Sequence, residues 1–262
     1  MSETRIAANG TALNYSLEGR DGAPVLMLSN SLGTNLHMWD WQRESFARHF
    51  RLLRYDSRGH GRSDAPQGPY SIEMLGRDAL GLLDALGIER AHFCGLSKGG
   101  MVGQWLGANA GERLHKLVLC NTSAHLPPRE LWDERIAAVL SGGMAPVVQG
   151  VVDRWFTPAF QNSGARDVAK VRDMILATPP AGYAACCMAI RDMDQRAGLS
   201  RIATPTLIVV GADDPATPPP MGEALHSAIA GSMLVSLKAA HLSNIEAAAE
   251  FTTTVLEFLT RP

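Results

Sequence analysis

The sequence predicts an α/β fold in which a mostly parallel sheet is flanked by helices on both faces. Short apolar runs alternate along the chain with longer stretches of helical period, which is the pattern of repeated strand and helix units. At 262 residues the chain is longer than a typical domain, but α/β folds often hold that length in one unit. Hydrophobic residues make up 46% of the chain and charged residues 19%, so the chain can bury a large core.

About eight strands are predicted from the spacing of the apolar runs. Two edge strands lie near the start of the chain, at 4–7 and 10–17. Six further runs are short, apolar and rich in β-formers: 25–29, 51–55, 91–96, 116–120, 206–210 and 233–237. Because helical stretches separate most of these runs, their strands are expected to pair in parallel.

Helical period is clearest at 72–86, where Ile72, Leu75 and Ala79 begin a series of apolar residues spaced by three and four. Ser71 is placed to cap the start of this helix. Further helices are predicted at 100–110, 219–229 and 246–259.

The segment between Cys120 and Leu199 breaks the alternation, because it contains no convincing central strand. Helix-like stretches occupy it instead, at 129–140, 147–156, 168–177 and 183–192. Such an insertion is expected to sit over one end of the sheet as a cap. We therefore expect a core formed by residues 1–123 and 198–262, and a helical cap formed by residues 124–197.

Charge and composition argue against several classes of partner. The formal net charge is −2 and no run of lysine or arginine occurs, so neither nucleic acid nor an anionic membrane is an expected partner. Apolar runs such as 203–210 fall far short of the roughly 20 residues needed to span a bilayer. Residues 1–9 lack the apolar stretch of a secretory signal. The four cysteines show no metal-ligand spacing and are expected to be reduced thiols, so the sequence predicts a cytoplasmic protein without a metal site. It indicates no oligomeric state.

The sharpest local signal is Gly95-Leu96-Ser97-Lys98-Gly99, a G-x-S-x-G sequence between a predicted strand and a predicted helix. In this context the turn holds the serine in a strained conformation with its hydroxyl exposed at the carboxyl edge of the sheet. The glycines relieve clashes that a side chain would cause. The alternative is a tight turn with an incidental serine, but the flanking elements favour Ser97 as a nucleophile.

A serine nucleophile requires a base that removes its proton and a carboxylate that orients the base. Candidates for both occur downstream, just after predicted strands, where the sites of open α/β sheets lie. Asp213 and Asp214 follow one such strand, and His241 follows the next. His60, in a Gly-His-Gly turn, is interpreted as a structural anchor for its loop.

Five segments together resemble the α/β-hydrolase family and, within it, the enol-lactonases. They are 29–34, 55–63, 95–99, 211–219 and 240–246. The middle three are general to hydrolases of this fold, whereas the first and the last point to the lactonases. The resemblance covers the whole chain and implies an α/β-hydrolase fold with an eight-stranded sheet and an inserted helical cap.

The resemblance also selects the acid, because in the family pattern the carboxylate stands third after the glycine of its motif. That position is Asp214 here, and Asp213 remains the alternative. The order Ser97, Asp214, His241 is then the Ser, acid, His order of this family.

The oxyanion of an acyl-transfer reaction requires backbone donors, expected here from the N–H groups of Leu32 and Lys98. Many relatives carry His-Gly where this chain has Asn30-Ser31. This departure places a hydroxyl at Ser31, which is expected to bond the substrate or its own loop; the alternative is that Ser31 is an ordinary turn residue.

The resemblance implies hydrolysis of 3-oxoadipate enol-lactone, a small anionic lactone with an acetate arm, through an acyl-enzyme and without a metal or organic cofactor. A cation should therefore line the pocket. Arg135 is favoured, because Trp132 lies three positions earlier on the same predicted helix face. The other candidates are Lys98, Arg129, Arg154 and Arg191.

Other activities fit the same residues. A carboxylesterase, a carbon–carbon bond hydrolase or a cofactor-free perhydrolase would use the same triad, which therefore does not separate them. A ligand receptor that keeps the fold without turnover is a further alternative.

Overall fold

The computed structural model describes residues 3–261, so Met1, Ser2 and Pro262 lie outside it, although the predicted core includes them. Within the described range the strands form one eight-stranded sheet. The strands are β1 (Thr4–Ala8), β2 (Thr11–Gly19), β3 (Val25–Ser29), β4 (Arg51–Tyr55), β5 (Ala91–Leu96), β6 (Leu114–Cys120), β7 (Thr206–Gly211) and β8 (Met233–Leu237).

The strand order is β1-β2-β4-β3-β5-β6-β7-β8. The first two pairs, β1 with β2 and β2 with β4, are antiparallel, and the remaining pairs are parallel. The predicted mostly parallel sheet is thus confirmed. The order reverses around β3, and ligand sites of open α/β sheets lie beyond the carboxyl ends of strands at such a reversal.

Helices connect most of the parallel strands. They are α1 (Asp40–Ala47), α2 (Ile72–Ala85), α3 (Lys98–Asn109), α4 (Arg129–Gly142), α5 (Ala145–Trp155), α6 (Pro158–Ser163), α7 (Ala165–Ala177), α8 (Pro180–Asp192), α9 (Pro219–Ala228), α10 (Ser243–Glu246) and α11 (Ala248–Thr260). Short 3₁₀ segments lie at Leu36–Trp39, Gly111–Arg113 and Arg196–Arg201. Between residues 3 and 261 no helix combines the length and the apolar character that crossing a bilayer requires.

The sequence prediction differs from the structure in a few elements. Helices α1 and α6 were not expected. The helix expected at 246–259 is observed as α11, but it begins at Ala248. The short helix α10 precedes it and was not expected, and the two are separated because the backbone of Ala247 leaves helical geometry at φ −114° and ψ 43°. Ser71 caps α2 as expected, and its hydroxyl accepts a hydrogen bond from the N–H of Met74 at 3.0 Å.

The core follows the position of each strand in the sheet. Every residue of β3, β5 and β7 is buried, as expected of parallel strands covered on both faces. The edge strands β1 and β8 are instead partly exposed. The central strands therefore form a rigid platform whose carboxyl ends carry the loops described below.

Helices α4 to α8 all lie between β6 and β7, in the stretch where the sequence predicts a cap. The two ends of this stretch meet, since the N–H of Gln195 donates to the carbonyl of Ala124 at 2.8 Å. The division into a core and a cap at 124–197 stays a prediction, and this closed geometry is compatible with it.

The helical stretch contacts the core through two glycines. Gly59 lies in the loop after β4 with φ +78°, and a Cβ built on it would lie 2.7 Å from the Cα of Gly182 in α8. A Cβ on Gly182 would in turn clash with the carbonyl oxygen of Gly59. Since both obstacles are backbone atoms, neither can rotate away.

We predict that Gly182→Ala destabilises the protein by about 1–3 kcal/mol, the usual cost of overpacking, although alanine is normally the better helix former. The matched control is Gly150→Ala in α5, where the nearest atom to the new Cβ is 3.7 Å away. That change is expected to raise stability by up to about 1 kcal/mol. Urea denaturation of both variants checks the opposite signs, and equal effects would contradict the close contact.

Candidate active site

Ser97 occupies a strained turn between β5 and α3. Its φ is 57° and its ψ is −115°, a backbone conformation that residues other than glycine rarely adopt. Gly95 and Gly99 make the turn possible, because a Cβ on Gly95 would clash with the carbonyl of Gly99, and a Cβ on Gly99 with that of Ser29. The G-x-S-x-G motif therefore lies in the predicted context, with a strand (β5) before Ser97 and a helix (α3) after it.

Hydrogen bonds to the neighbouring strand hold this turn. The N–H of Ser97 donates to the carbonyl of Cys120 at 2.9 Å. The carbonyl of Ser97 accepts from the hydroxyl of Thr122 at 2.8 Å and from the N–H of Met101 at 3.0 Å. These bonds fix the serine at the carboxyl edge of the sheet.

Asp214, and not Asp213, contacts the histidine. The Nδ1–H of His241 donates to Oδ2 of Asp214 at 2.8 Å. Asp214 is 2% exposed, whereas the side chain of Asp213 faces solvent. The structure therefore brings the favoured carboxylate of the two to the imidazole.

Further donors surround the Asp214 carboxylate. Its Oδ1 accepts from the N–H groups of Ala216 and Thr217 at 2.8 and 3.0 Å. Its Oδ2 also accepts from the hydroxyl of Thr217 at 2.8 Å and from Nδ2 of Asn121 at 3.0 Å. Burial alone would raise the pKa of this carboxyl, but His241 and these donors lower it to about 2. Asp214 is therefore ionised at neutral pH and poised to stabilise a charged imidazole.

Asn121 is a positioning residue that the sequence analysis missed. It follows β6 with a φ of 44°, which asparagine tolerates better than most residues. Its amide donates to Asp214 and, at 3.3 Å, to the carbonyl of Ala240, and its Oδ1 accepts from the Ser243 hydroxyl at 2.6 Å. One side chain thus links the acid loop to the histidine loop.

Glu246 connects the histidine loop to the helical stretch. Its Oε2 accepts from the N–H of Ala240 at 3.1 Å and from that of Thr157 at 3.2 Å. Its Oε1 accepts from the Thr157 hydroxyl. The sequence motif at 240–246 includes Glu246, but the role of Glu246 depends on its contact with Thr157, which lies 89 positions earlier in the chain.

The loop after β3 carries the expected oxyanion donor Leu32. The next residue, Gly33, donates its N–H to Nε2 of His60 at 2.9 Å, so His60 holds this loop. Burial, together with the nearby Lys98 ammonium, holds the pKa of His60 well below its ordinary value, so its imidazole is neutral. This contact agrees with the interpretation of His60 as a loop anchor.

Lys98 is the first residue of α3, so its N–H has no acceptor within the helix and is free to serve as the second donor. Its side chain, however, is fully buried and does not line the cavity described next. Lys98 is therefore wrong as a candidate for the substrate-binding cation.

Ser31 is also fully buried and does not line the cavity. Among residues 3–261 its hydroxyl has no hydrogen-bond partner, so the loop contact expected as one alternative is not formed there. A role in substrate binding stays a prediction.

A cavity of about 650 Å³ opens above the sheet. Ser97, His241 and Leu32 line it from the sheet side, and the ring of Trp155 lies 5.9 Å from that of His241. The helical stretch contributes further walls, including the predicted residues Trp132 and Arg135. The structure therefore gathers the predicted nucleophile and base with those two residues around one space.

The four arginines predicted as candidate cations divide into two groups. Arg191 pairs with Asp133 at 2.6 Å and with Asp192 at 2.7 Å, and Arg129 also contacts Asp192. Arg135 lines the cavity, and its guanidinium carbon lies 4.9 Å from the centre of the Trp132 ring. Arg154, described further below, lines the same cavity.

A serine in a strained turn, a histidine bonded to a buried carboxylate and a cavity between them form an arrangement suited to nucleophilic hydrolysis. Among residues 3–261 no three His, Cys, Asp or Glu side chains cluster as metal ligands would. A family model described as the alpha/beta hydrolase fold matches residues 24–178, and the chain belongs to the α/β-hydrolase family.

Within that family the chain is similar to enol-lactonases. Two 3-oxoadipate enol-lactonases of Acinetobacter baylyi are 41% and 37% identical to this chain, each over 92% of it and over 90% and 91% of their own lengths. The crystal structure of the enol-lactonase from Burkholderia xenovorans LB400 matches with a TM-score of 0.97 at 45% identity. That match covers 98% of this chain and 100% of the other.

We predict that Asp214→Asn lowers kcat by about 10⁴-fold, because the amide cannot hold the imidazole in the required tautomer. Asp213→Asn is the matched control and is expected to leave kcat within about twofold of the parent, since surface changes away from special features have small effects. Steady-state kinetics on any hydrolysed ester checks both values. A larger loss in the Asp213 variant would reverse the assignment of the acid.

Glu246→Ala is expected to lower kcat by about tenfold, because two N–H groups lose their acceptor at a cost of about 1–3 kcal/mol each and the histidine loop loosens. Glu246→Gln keeps an acceptor for both amides and should restore most of the activity. Thr157→Val removes the hydroxyl and keeps the N–H, so it separates the side-chain contact of Thr157 with Glu246 from the backbone contact. If the Gln variant is as impaired as the Ala variant, the backbone contacts are not the reason.

Proposed function

We propose that this hydrolase opens 3-oxoadipate enol-lactone to 3-oxoadipate. The observation that carries the proposal is the cavity that Ser97 and His241 line together with Arg135 and Arg154, two arginines that form no ion pair with a carboxylate among residues 3–261. The names of the similar proteins support the proposal, since the two Acinetobacter relatives are 3-oxoadipate enol-lactonases and the Burkholderia protein is an enol-lactonase.

In the first step the hydroxyl of Ser97 attacks the ring carbonyl. Because Nδ1 of His241 is bonded to Asp214, its Nε2 is the nitrogen left to take the serine proton. The ionised Asp214 then stabilises the imidazolium. The buried hydrogen bonds around this carboxylate keep the imidazole oriented throughout.

The tetrahedral oxyanion is bound by the N–H groups of Leu32 and Lys98. The second of these lies at the start of α3, so the positive end of the helix dipole faces the developing charge. Because His60 fixes the loop that carries Leu32, the two donors are held before the substrate arrives.

Collapse of the intermediate opens the ring. The leaving oxygen belongs to an enol, which departs more readily than an alkoxide and takes the proton from His241. The enol then becomes a ketone, and this conversion draws the reaction forward. Water activated by His241 hydrolyses the acyl-enzyme and releases the keto-dicarboxylate, so the proposed steps use neither a metal nor an organic cofactor.

The acetate arm of the substrate requires a cation, and we assign this role to Arg135, which lines the cavity. Its guanidinium rests on the Trp132 ring, whose Nε1 donates to the carbonyl of Leu126 at 2.9 Å. The fixed indole therefore presents one apolar face to the ring of the substrate and holds the cation nearby.

We also propose a cytoplasmic location, which suits four buried and unpaired cysteines, all within the described chain.

A hydrolysis panel tests the proposal. We expect kcat/KM for 3-oxoadipate enol-lactone to exceed that for a saturated lactone and a simple neutral ester by at least about 10²-fold, with loss of turnover in Ser97→Ala. Arg135→Ala should raise KM for the anionic lactone by about tenfold and leave the neutral ester unchanged.

Preference for simple esters would make the protein a carboxylesterase and contradict the proposal. A folded wild-type protein that hydrolyses nothing in the panel would favour the receptor alternative. An equal effect of Arg135→Ala on both substrates would remove the assignment of Arg135.

A further inference from the structure

A second arginine faces the cavity beside Arg135. Arg135 lies on α4 and Arg154 on α5, and both line the space that contains Ser97 and His241. Both side chains are half-buried. The guanidinium of Arg154 passes over Gly150, where an added Cβ would lie 3.7 Å from its Nη1 atom, an ordinary van der Waals distance.

Neither guanidinium forms an ion pair within the described part of the chain. Glu134 lines the cavity and Asp153 precedes Arg154, but among residues 3–261 no carboxylate lies within 4.0 Å of either arginine. Asp153 accepts instead from Gln149 at 2.8 Å. By contrast, Arg129 on α4 is paired with Asp192, and Arg191 on α8 is paired with Asp133 and Asp192.

Two cations of like charge in a partly apolar cavity repel each other and lose hydration. Burial, followed by the charge of Arg135, lowers the pKa of Arg154. Such an arrangement is unfavourable in isolation, and an anion that contacts both groups removes the penalty. A single carboxylate has two oxygens and can accept hydrogen bonds from two guanidinium groups at once.

We propose that Arg135 and Arg154 together form a carboxylate clamp, so that Arg154 is a second specificity-determining residue of the cavity. The clamp rests on the proposed function, because it assigns the acetate arm of the lactone to both arginines. Its ligand class is small esters and lactones that carry one carboxylate on a short arm. After ring opening the product retains that carboxylate on the clamp, so short dicarboxylates bind the same site.

Binding to a protein that cannot turn over tests the clamp. Adipate is the probe, and Ser97→Ala is the parent, studied by isothermal titration calorimetry. Adding Arg154→Gln should weaken adipate binding by about tenfold or more, the range for a hydrogen bond between charged groups. Arg154→Lys, which keeps the charge without the planar fork, should fall in between. Dimethyl adipate, which is neutral, should bind the parent and the Arg154→Gln variant equally.

The control is Arg129→Gln in the same parent, since Arg129 is paired at the surface and should not affect adipate. Unchanged adipate affinity in the Arg154→Gln variant, or an equal loss for adipate and its dimethyl ester, would overturn the clamp. Because the measurement needs no turnover, its outcome is independent of the substrate panel. A clamp that binds adipate in a protein inactive on the enol-lactone would refute the proposed function alone.

Discussion

The hydrogen bond between Asp214 and His241 is the contact around which the site is organised. It joins two loops that leave neighbouring strands, β7 and β8, and it lies where water has little access. A buried carboxylate is costly unless donors surround it. Thr217 and Asn121 supply such donors, and the second also reaches the histidine loop. The polar network is therefore satisfied and holds a single imidazole orientation.

The helices above the sheet contribute to chemistry and to recognition through different contacts. Thr157 reaches Glu246 beneath the histidine loop, and the N–H of Leu242 donates to the carbonyl of Trp155 at 3.1 Å. The same helix α5 also carries Arg154 into the cavity. The position of α5 thus affects both the orientation of the imidazole and the charge that a substrate meets.

Features that depend on neighbouring residues in the chain were predictable, and features that depend on tertiary pairing were not. The turn around Ser97 is specified by glycines two positions away, so its sequence reveals it. Asn121 has no such signal, because its partners come from two distant loops. Likewise, sequence alone does not distinguish Arg154 from Arg191, since only the folded chain shows which guanidinium meets an aspartate. The burial of the Lys98 side chain likewise depends on packing in the folded chain, so the sequence did not reveal it.

The meeting of Ala124 with Gln195 has an evolutionary consequence. A segment whose ends touch can be lengthened, shortened or exchanged while the spacing of β6 and β7 is preserved. Selection can therefore vary the helices above the sheet while the catalytic residues on the sheet are inherited unchanged. An exchanged segment must nevertheless keep a hydrogen-bond donor for Glu246, so its sequence is most constrained at the start of α6.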